Sequence, residues 1–214
     1  MQTSERGIVA LISHEGIVPG PYRDSVGVWT AYVGHTADAG APNPATLPRG
    51  MPDNLDAALV EVFDVFRRDL HRYEAAVSAA IKVPVTQHEF DAAVSFHFNT
   101  GAIGRATWVK SLNAGRRSDA AEQIMAWKKP AAIIPRRAAE QALFRDGTYP
   151  TAGVNVWGVD PGGRVIWRPV RRLLPSEALA LLRGASRPDH TPPVPPASIF
   201  ASIIRAFAAL FGRK

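Results

Sequence analysis

Glu15, Asp24 and Thr30 lie in the run His14-Glu15-Gly16-Ile17-Val18-Pro19-Gly20-Pro21-Tyr22-Arg23-Asp24-Ser25-Val26-Gly27-Val28-Trp29-Thr30. Hydrolysis of a glycosidic bond commonly uses two carboxyl groups in different roles, one giving a proton to the leaving oxygen and one acting on water or on the sugar. An acid that donates near neutral pH needs its pKa raised by burial or by a like charge. Glu15 follows the apolar residues Ile8, Leu11 and Ile12, so it is the better placed for that role. Asp24 sits beside Tyr22, Arg23 and Ser25, a polar setting in which a carboxylate stays ionised. Thr30 can hold a water by hydrogen bonding but is no base at ordinary pH. A helix cap at Glu15 and a turn residue at Asp24 would give the same spacing, so spacing alone leaves both readings open.

The elements around these residues decide where they point. A helix is expected from Ser4 to His14, stopped at Glu15-Gly16 because glycine readily takes the left-handed conformation that ends helices. Over residues 17–38, Tyr22, Val26, Val28, Trp29, Tyr32 and Val33 punctuated by glycines predict a small antiparallel sheet. Glu15 would then stand at a helix end facing a sheet that carries Asp24 and Thr30, which is a natural way to make a cleft. After a Pro-rich loop at 40–53, Leu55, Leu59, Val62, Phe63, Phe66, Leu70, Tyr73 and Val77 recur at helical spacing and predict a long helix over 53–81. Thr86-Gln87-His88-Glu89 is a capping box opening a helix with Phe90, Val94 and Phe98 on one face and an end near Asn99-Thr100-Gly101. Shorter helices are expected at 105–113, 118–127 and 135–145. A hairpin is expected around Asp160-Pro161-Gly162-Gly163, with a short helix after Pro175.

Residues 184–197 carry Pro188, Pro192, Pro193, Pro195 and Pro196 and read as a linker. Beyond it, Ile199, Phe200, Ile203, Ile204, Phe207, Leu210 and Phe211 share one helical face, with Arg205, Arg213 and Lys214 as its charges. Such a basic amphipathic helix over 198–214 suits an anionic membrane interface; docking on the globular domain or on a second copy is the other reading.

The bulk composition narrows the partners. A chain of 214 residues with 46% hydrophobic residues supports one ordinary domain with some extra. The formal charge of +6 favours a polyanionic partner, which charge alone does not choose among nucleic acid, membrane and cell-wall polymer. The basic set Arg67, Arg68, Arg72, Arg116, Arg117, Lys128 and Lys129 lacks the aromatic interleaving of a nucleic-acid module, so no nucleic acid is expected. There is no cysteine, hence no disulfide or thiolate metal site. His14, His35, His71, His88, His97 and His190 lack metal-site spacing, and neither Gly-x-Ser-x-Gly nor a phosphate loop occurs, so no metal or cofactor is expected. Met1-Gln2-Thr3-Ser4-Glu5-Arg6 is not the start of a secretory signal, which predicts a protein made in the cytoplasm that reaches an outside target only after release.

Glu15-Gly16, Tyr22-x-Asp24-x-x-Gly27-x-x-Thr30 and Gly34-His35-Thr36 together resemble the catalytic segment of the phage-type lysozymes, glycoside hydrolase family 24. Val83-Pro84-Val85-Thr86-Gln87 with Phe90-Asp91-Ala92, Phe98-Asn99-Thr100-Gly101, Leu112-Asn113-Ala114-Gly115, Trp127 and Arg136-Arg137-x-x-Glu140-x-x-Leu143 extend the resemblance in order over about 5–146. It implies an α+β, lysozyme-like fold: a small sheet lobe at about 16–50 joined by the long helix to a mainly helical lobe. Residues 1–150 would form the muramidase domain, with 151–183 as a hairpin and short-helix extension packed on it. It further implies a monomer that acts on bacterial peptidoglycan, cleaving the β-1,4 bond between N-acetylmuramic acid and N-acetylglucosamine with inversion. Glu15 would be the general acid, Asp24 would activate or orient water, Thr30 would hold that water, and Tyr32, His35 and Asn99 would border the substrate. One departure stands out. The family's usual Thr-Ile-Gly-Tyr-Gly-His-Thr is here Thr30-Ala31-Tyr32-Val33-Gly34-His35-Thr36, and the added bulk of Tyr32 would fill the cleft or stack on a sugar. Rival readings are a wall-binding protein weakened by that change, a membrane-active protein killing through its tail, and a transglycosylase, against which Asp24 and Thr30 together argue.

Overall fold

Helix α1 (Glu5–Glu15) begins where Ser4 accepts the Gly7 N–H at 3.0 Å, and its apolar side buries Ile8, Val9, Leu11 and Ile12. The same Ser4 hydroxyl donates to Asp91 at 2.5 Å, tying the helix start to the middle of the chain. Gly16, at φ 74°, ends α1 in a conformation that favours glycine and turns the chain into strand β1 (Val18–Arg23). Strands β2 (Trp29–Tyr32) and β3 (His35–Thr36) complete an antiparallel sheet in the order β1-β2-β3, with Tyr22 opposite Thr30 and Thr30 opposite Thr36. The computed structural model describes residues 1–184. Apart from Gly184, the expected linker over 184–197 and basic helix over 198–214 lie outside the described residues.

Helix α2 (Leu55–Ala80), capped by Asn54, matches the predicted long helix to within two residues and buries Leu59, Val62, Phe63, Phe66, Leu70, Tyr73 and Val77. Helix α3 (Gln87–Thr100) has both halves of the expected capping box and ends at Gly101, at φ 62°. One apolar face was expected of it, yet it is buried all round, Glu89, Asp91, Ser95 and His97 included. The reason is its central place against α1, α2 and α6 (Ile134–Asp146), a position in which a helix has no solvent side. Helices α4 (Thr107–Asn113) and α5 (Arg117–Ile124) pack on each other, and α5 on α6. Phe96 lies edge-on to Trp108 and Trp127, each ring 5.3 Å away, at the middle of this lobe.

Strands β4 (Val154–Val159) and β5 (Val165–Leu173) form the predicted hairpin, which runs past Trp167, and α7 (Pro175–Gly184) packs against α1 and α2. The hairpin adds itself to the first sheet along β1. Ile17 donates to the Asn155 carbonyl at 2.9 Å and accepts from Trp157 at 2.8 Å, while at the far end Arg23 donates to the Gly163 carbonyl at 2.7 Å. No described helix is long and apolar enough to cross a membrane.

Gly20 sits where this strand, the loop at Gly50 and β4 meet. A Cβ there would lie 2.1 Å from the Gly50 carbonyl oxygen and 2.9 Å from Val159. Because the nearer obstacle is backbone, it cannot rotate away. Gly20→Ala is therefore expected to destabilise the fold by about 2–3 kcal/mol, lowering the Tm by about 5–10 °C. An unchanged Tm in a thermal melt would contradict this packing.

Candidate active site

Glu15 is the last residue of α1, directly before the Gly16 turn, and its side chain is 8% exposed. Its Oε1 accepts from Arg136 Nη1 at 2.5 Å. Arg136 also donates through Nε to Glu140 Oε1 at 3.0 Å and through Nη2 to the Ser95 carbonyl at 3.2 Å. Glu140 takes a further bond from the Ser95 hydroxyl at 2.8 Å and pairs with Arg137 Nη1 at 2.5 Å. Arg137 in turn donates to the Asn99 side-chain oxygen. Two carboxyl groups and two guanidinium groups thus share one dry network, with Glu140 between both guanidinium groups and Glu15 on Arg136. Burial works against the charge on Arg136, but the Glu15 and Glu140 carboxylates outweigh it and raise its pKa. His14 is held down to about 3 by burial and by the Arg136 and Arg137 charges, so it is neutral and donates no catalytic proton at neutral pH. The burial expected of Glu15 is present, and its partner is a cation rather than a second carboxylate.

Asp24 follows β1 in a tight turn that uses Gly27 at φ 83°. Its Oδ1 accepts the Val26 and Val28 N–H groups, both at 2.9 Å, which fixes the carboxylate against the turn. Thr30 is buried on β2, and its hydroxyl donates to the Val28 carbonyl at 3.3 Å. Val28 therefore joins Asp24 and Thr30 through the two ends of one residue's backbone. Tyr22 lies opposite Thr30 on the sheet; burial raises its phenol pKa, and the negative charges of Asp24 and then Glu15 push it the same way.

The other expected site residues have contacts of their own. Tyr32 adopts φ 61° and is 4% exposed, with its hydroxyl donating to Glu61 Oε1 on α2 at 2.9 Å. It fills the interior between sheet and long helix, so no open ring face is left to stack on a sugar. His35 is 1% exposed, with Nδ1 at 2.8 Å from Asp69 Oδ2 and Nε2 at 2.8 Å from the Pro42 carbonyl oxygen. It braces the loop at Pro42 against α2. Asn99 accepts from Arg137 and so joins the charge network. Arg136, Glu140 and Tyr22 were present in the motifs Arg136-Arg137-x-x-Glu140 and Tyr22-x-Asp24, but nothing in their spacing shows which carboxylate they meet. Among the described residues, no three His, Cys, Asp or Glu side chains converge as a metal site would require.

A phage lysozyme family profile matches residues 12–140, a span that holds every one of these groups and leaves out the hairpin and α7. The endolysin of Salmonella phage P22 is 34% identical over 150 residues, covering 67% of this chain and 98% of its own. Among solved structures, the endolysin from Escherichia coli O157:H7 phage FAHEc1 superposes with a TM-score of 0.59 at 32% identity, over 70% of this chain and 97% of its own. The muramidase domain of SpmX from Asticaccaulis excentricus gives a TM-score of 0.56 at 28% identity, over 67% and 97% of the two chains.

The His35 contacts have a consequence for stability. Its Nε2 faces a carbonyl, which can only accept, and its Nδ1 faces a carboxylate, so the doubly protonated ring satisfies both. Burial opposes that charge and Arg68 does too, but the Asp69 bond and charge and the Pro42 carbonyl together raise the pKa. A pKa raised on folding contributes stability that is full below the unfolded value, about 6.5, and fades as pH rises through the folded value. The gap in urea midpoint between wild type and Asp69→Asn should be widest below about pH 6.5 and narrow toward pH 9. A gap independent of pH would contradict the charged pair.

Proposed function

The chain belongs to the phage lysozyme family, whose members are glycoside hydrolases that degrade the bacterial cell wall, and on that footing we propose how its own residues cleave peptidoglycan. The bond broken is the β-1,4 link between N-acetylmuramic acid and N-acetylglucosamine. Glu15 is the general acid: Arg136 occupies Oε1, which leaves Oε2 to carry the proton to the glycosidic oxygen as the C–O bond breaks. Asp24 is the group that orients and deprotonates the water. The turn amides occupy Oδ1, so Oδ2 is its working oxygen. Thr30 places that water, which attacks the anomeric carbon on the face opposite the leaving group and inverts it. Inverting enzymes keep their carboxyls roughly 6.5–9.5 Å apart to admit such a water.

What supports this reading is that one family profile spans Glu15, Asp24 and Thr30, with Glu15 held in a buried network through Arg136 and Asp24 fixed on the turn whose Val28 also binds Thr30. Residues 1–150 hold the whole of this apparatus, and 151–183 are an extension of it. The enzyme is an endolysin that meets the wall after release from the cytoplasm, acting as a monomer. The basic apolar pattern over 198–214 suits contact with an anionic membrane on the way.

Removing a positioned general acid lowers turnover by about 10²–10⁴-fold. Glu15→Gln is isosteric and keeps an oxygen for Arg136. It should lose reducing-end release from purified sacculi on that scale with its near-UV circular dichroism unchanged, and Asp24→Asn should do the same. Near-normal turnover in folded Glu15→Gln would sink the assignment of the acid.

A further inference from the structure

The β4–β5 hairpin lies outside the span matched by the family and carries side chains that neither the core nor the catalytic apparatus uses. Its pairing is broken twice: Val156 opposes Arg171, Trp157 opposes Pro169, and Gly158 opposes Ile166. The first break leaves Val170 without an opposite number, and the second leaves Trp167 and Arg168. Bulges of this kind re-aim side chains and are common beside active sites. Here they expose Trp167 (55%) and Val170 (53%).

Trp167 does not stand alone. Its ring lies 5.5 Å from that of Trp157, edge to face, and Trp157 packs against the turn that follows Glu15, where a Cβ on Gly16 would lie 2.5 Å from the indole nitrogen. Two indoles therefore lead from the proposed acid to an open surface. The charges sort in the same direction. Arg164 is tied to Asp160 at 3.1 Å and Arg171 to Asp56 at 2.5 Å, whereas Arg168 and Arg172 are exposed with no ion pair recorded among the described residues. Protection of an edge strand accounts for Pro169 and the arginines. It does not account for an indole pushed outward, which by itself makes an edge more prone to association.

We propose that Trp167 and Arg168 form a second binding site for the substrate polymer: the indole takes the face of a sugar, and the guanidinium takes a carboxylate of the peptide stem. The inference rests on the muramidase reading. Ile166 (47%) and Val170 (53%) are exposed beside the indole, each with an atom within 3.4 Å of where a Gly158 Cβ would be. An acidic glycan fits this strand because the exposed indole is followed directly by Arg168, an exposed cation with no ion pair recorded among the described residues. Stacking with a charge-assisted hydrogen bond is how such a pair holds an acidic saccharide. A long substrate touching both this site and the cleft would be held on the enzyme between cuts.

The test uses the full chain. Cosedimentation with insoluble sacculi in the cold reads binding, and initial rates on sacculi and on short peptide-free glycan oligomers read catalysis. Trp167→Ala should weaken sacculus binding and raise the KM for sacculi about tenfold, with kcat and the oligomer rate unchanged. Trp167→Phe should restore most of the loss. Arg168→Gln should weaken binding to sacculi and leave binding to peptide-stripped strands unaltered. Sacculus binding indifferent to both substitutions would overturn the proposal. So would a loss seen on phosphatidylglycerol vesicles and not on sacculi, which would make the strand a bilayer contact. Wild type that binds sacculi but releases no reducing ends would instead defeat the muramidase reading, leaving the binding comparison to decide this site on its own.

Discussion

The Arg136 guanidinium is the interaction on which the rest of the structure depends. It joins the end of α1 to α3 and α6 by contacting Glu15, the Ser95 carbonyl and Glu140 at once. Burying charges is unfavourable unless each is matched, and breaking a buried pair from one side costs about 3–5 kcal/mol. With Arg137 completing the network, α1, α3 and α6 are held together by a set of bonds that have narrow distance and angle requirements. That geometry leaves Glu15 little room to move. An acid that must address one oxygen of one sugar bond gains from being held this way, because a misplacement of about 1 Å can cost about a hundredfold in rate.

On the sheet side, the equivalent constraint is local. Asp24 is fixed by the amides of its own turn, and Thr30 by the carbonyl of the residue that also binds Asp24. The two carboxylates are thus positioned independently, one by long-range ion pairs and one by a four-residue turn, and β1 is the spacer between them. The added hairpin hydrogen-bonds to Ile17 just before that strand and to Arg23 at its end, so the spacer is braced along its free edge. A sheet of three short strands, one of them the two-residue β3, gains rigidity from such a brace.

How much of this was legible in the sequence depends on the range of each interaction. The helix starts at Ser4 and at Thr86–Glu89 were readable because a cap and the amide it satisfies lie within three residues of each other. The Asp24 turn is equally local, yet the pattern put Asp24 on a strand, and it stands instead just past β1, fixed by the amides of its own turn. Glu15 and Arg136, by contrast, are 121 residues apart, and His35 and Asp69 are 34 apart, so their pairing follows only from the assembled fold. Tyr32 illustrates a different limit. Its residue type suggested a sugar platform, but the left-handed backbone at φ 61° turns the side chain inward to Glu61, and no sequence pattern announces a positive φ at a tyrosine. The burial of α3 was hidden for a related reason: its polar residues read as a solvent face, while each of Glu89, Asp91 and Ser95 has its own hydrogen-bond partner.

The central claim is that a water held by Asp24 and Thr30 replaces the leaving sugar while Glu15 protonates it. Proton NMR of the reducing end, followed from the first turnovers and ahead of mutarotation, reads this most directly. Displacement by a single water predicts that the α anomer forms first from the β-linked substrate and the β anomer grows in later. The β anomer first, or a product lacking a free reducing end, would contradict the account.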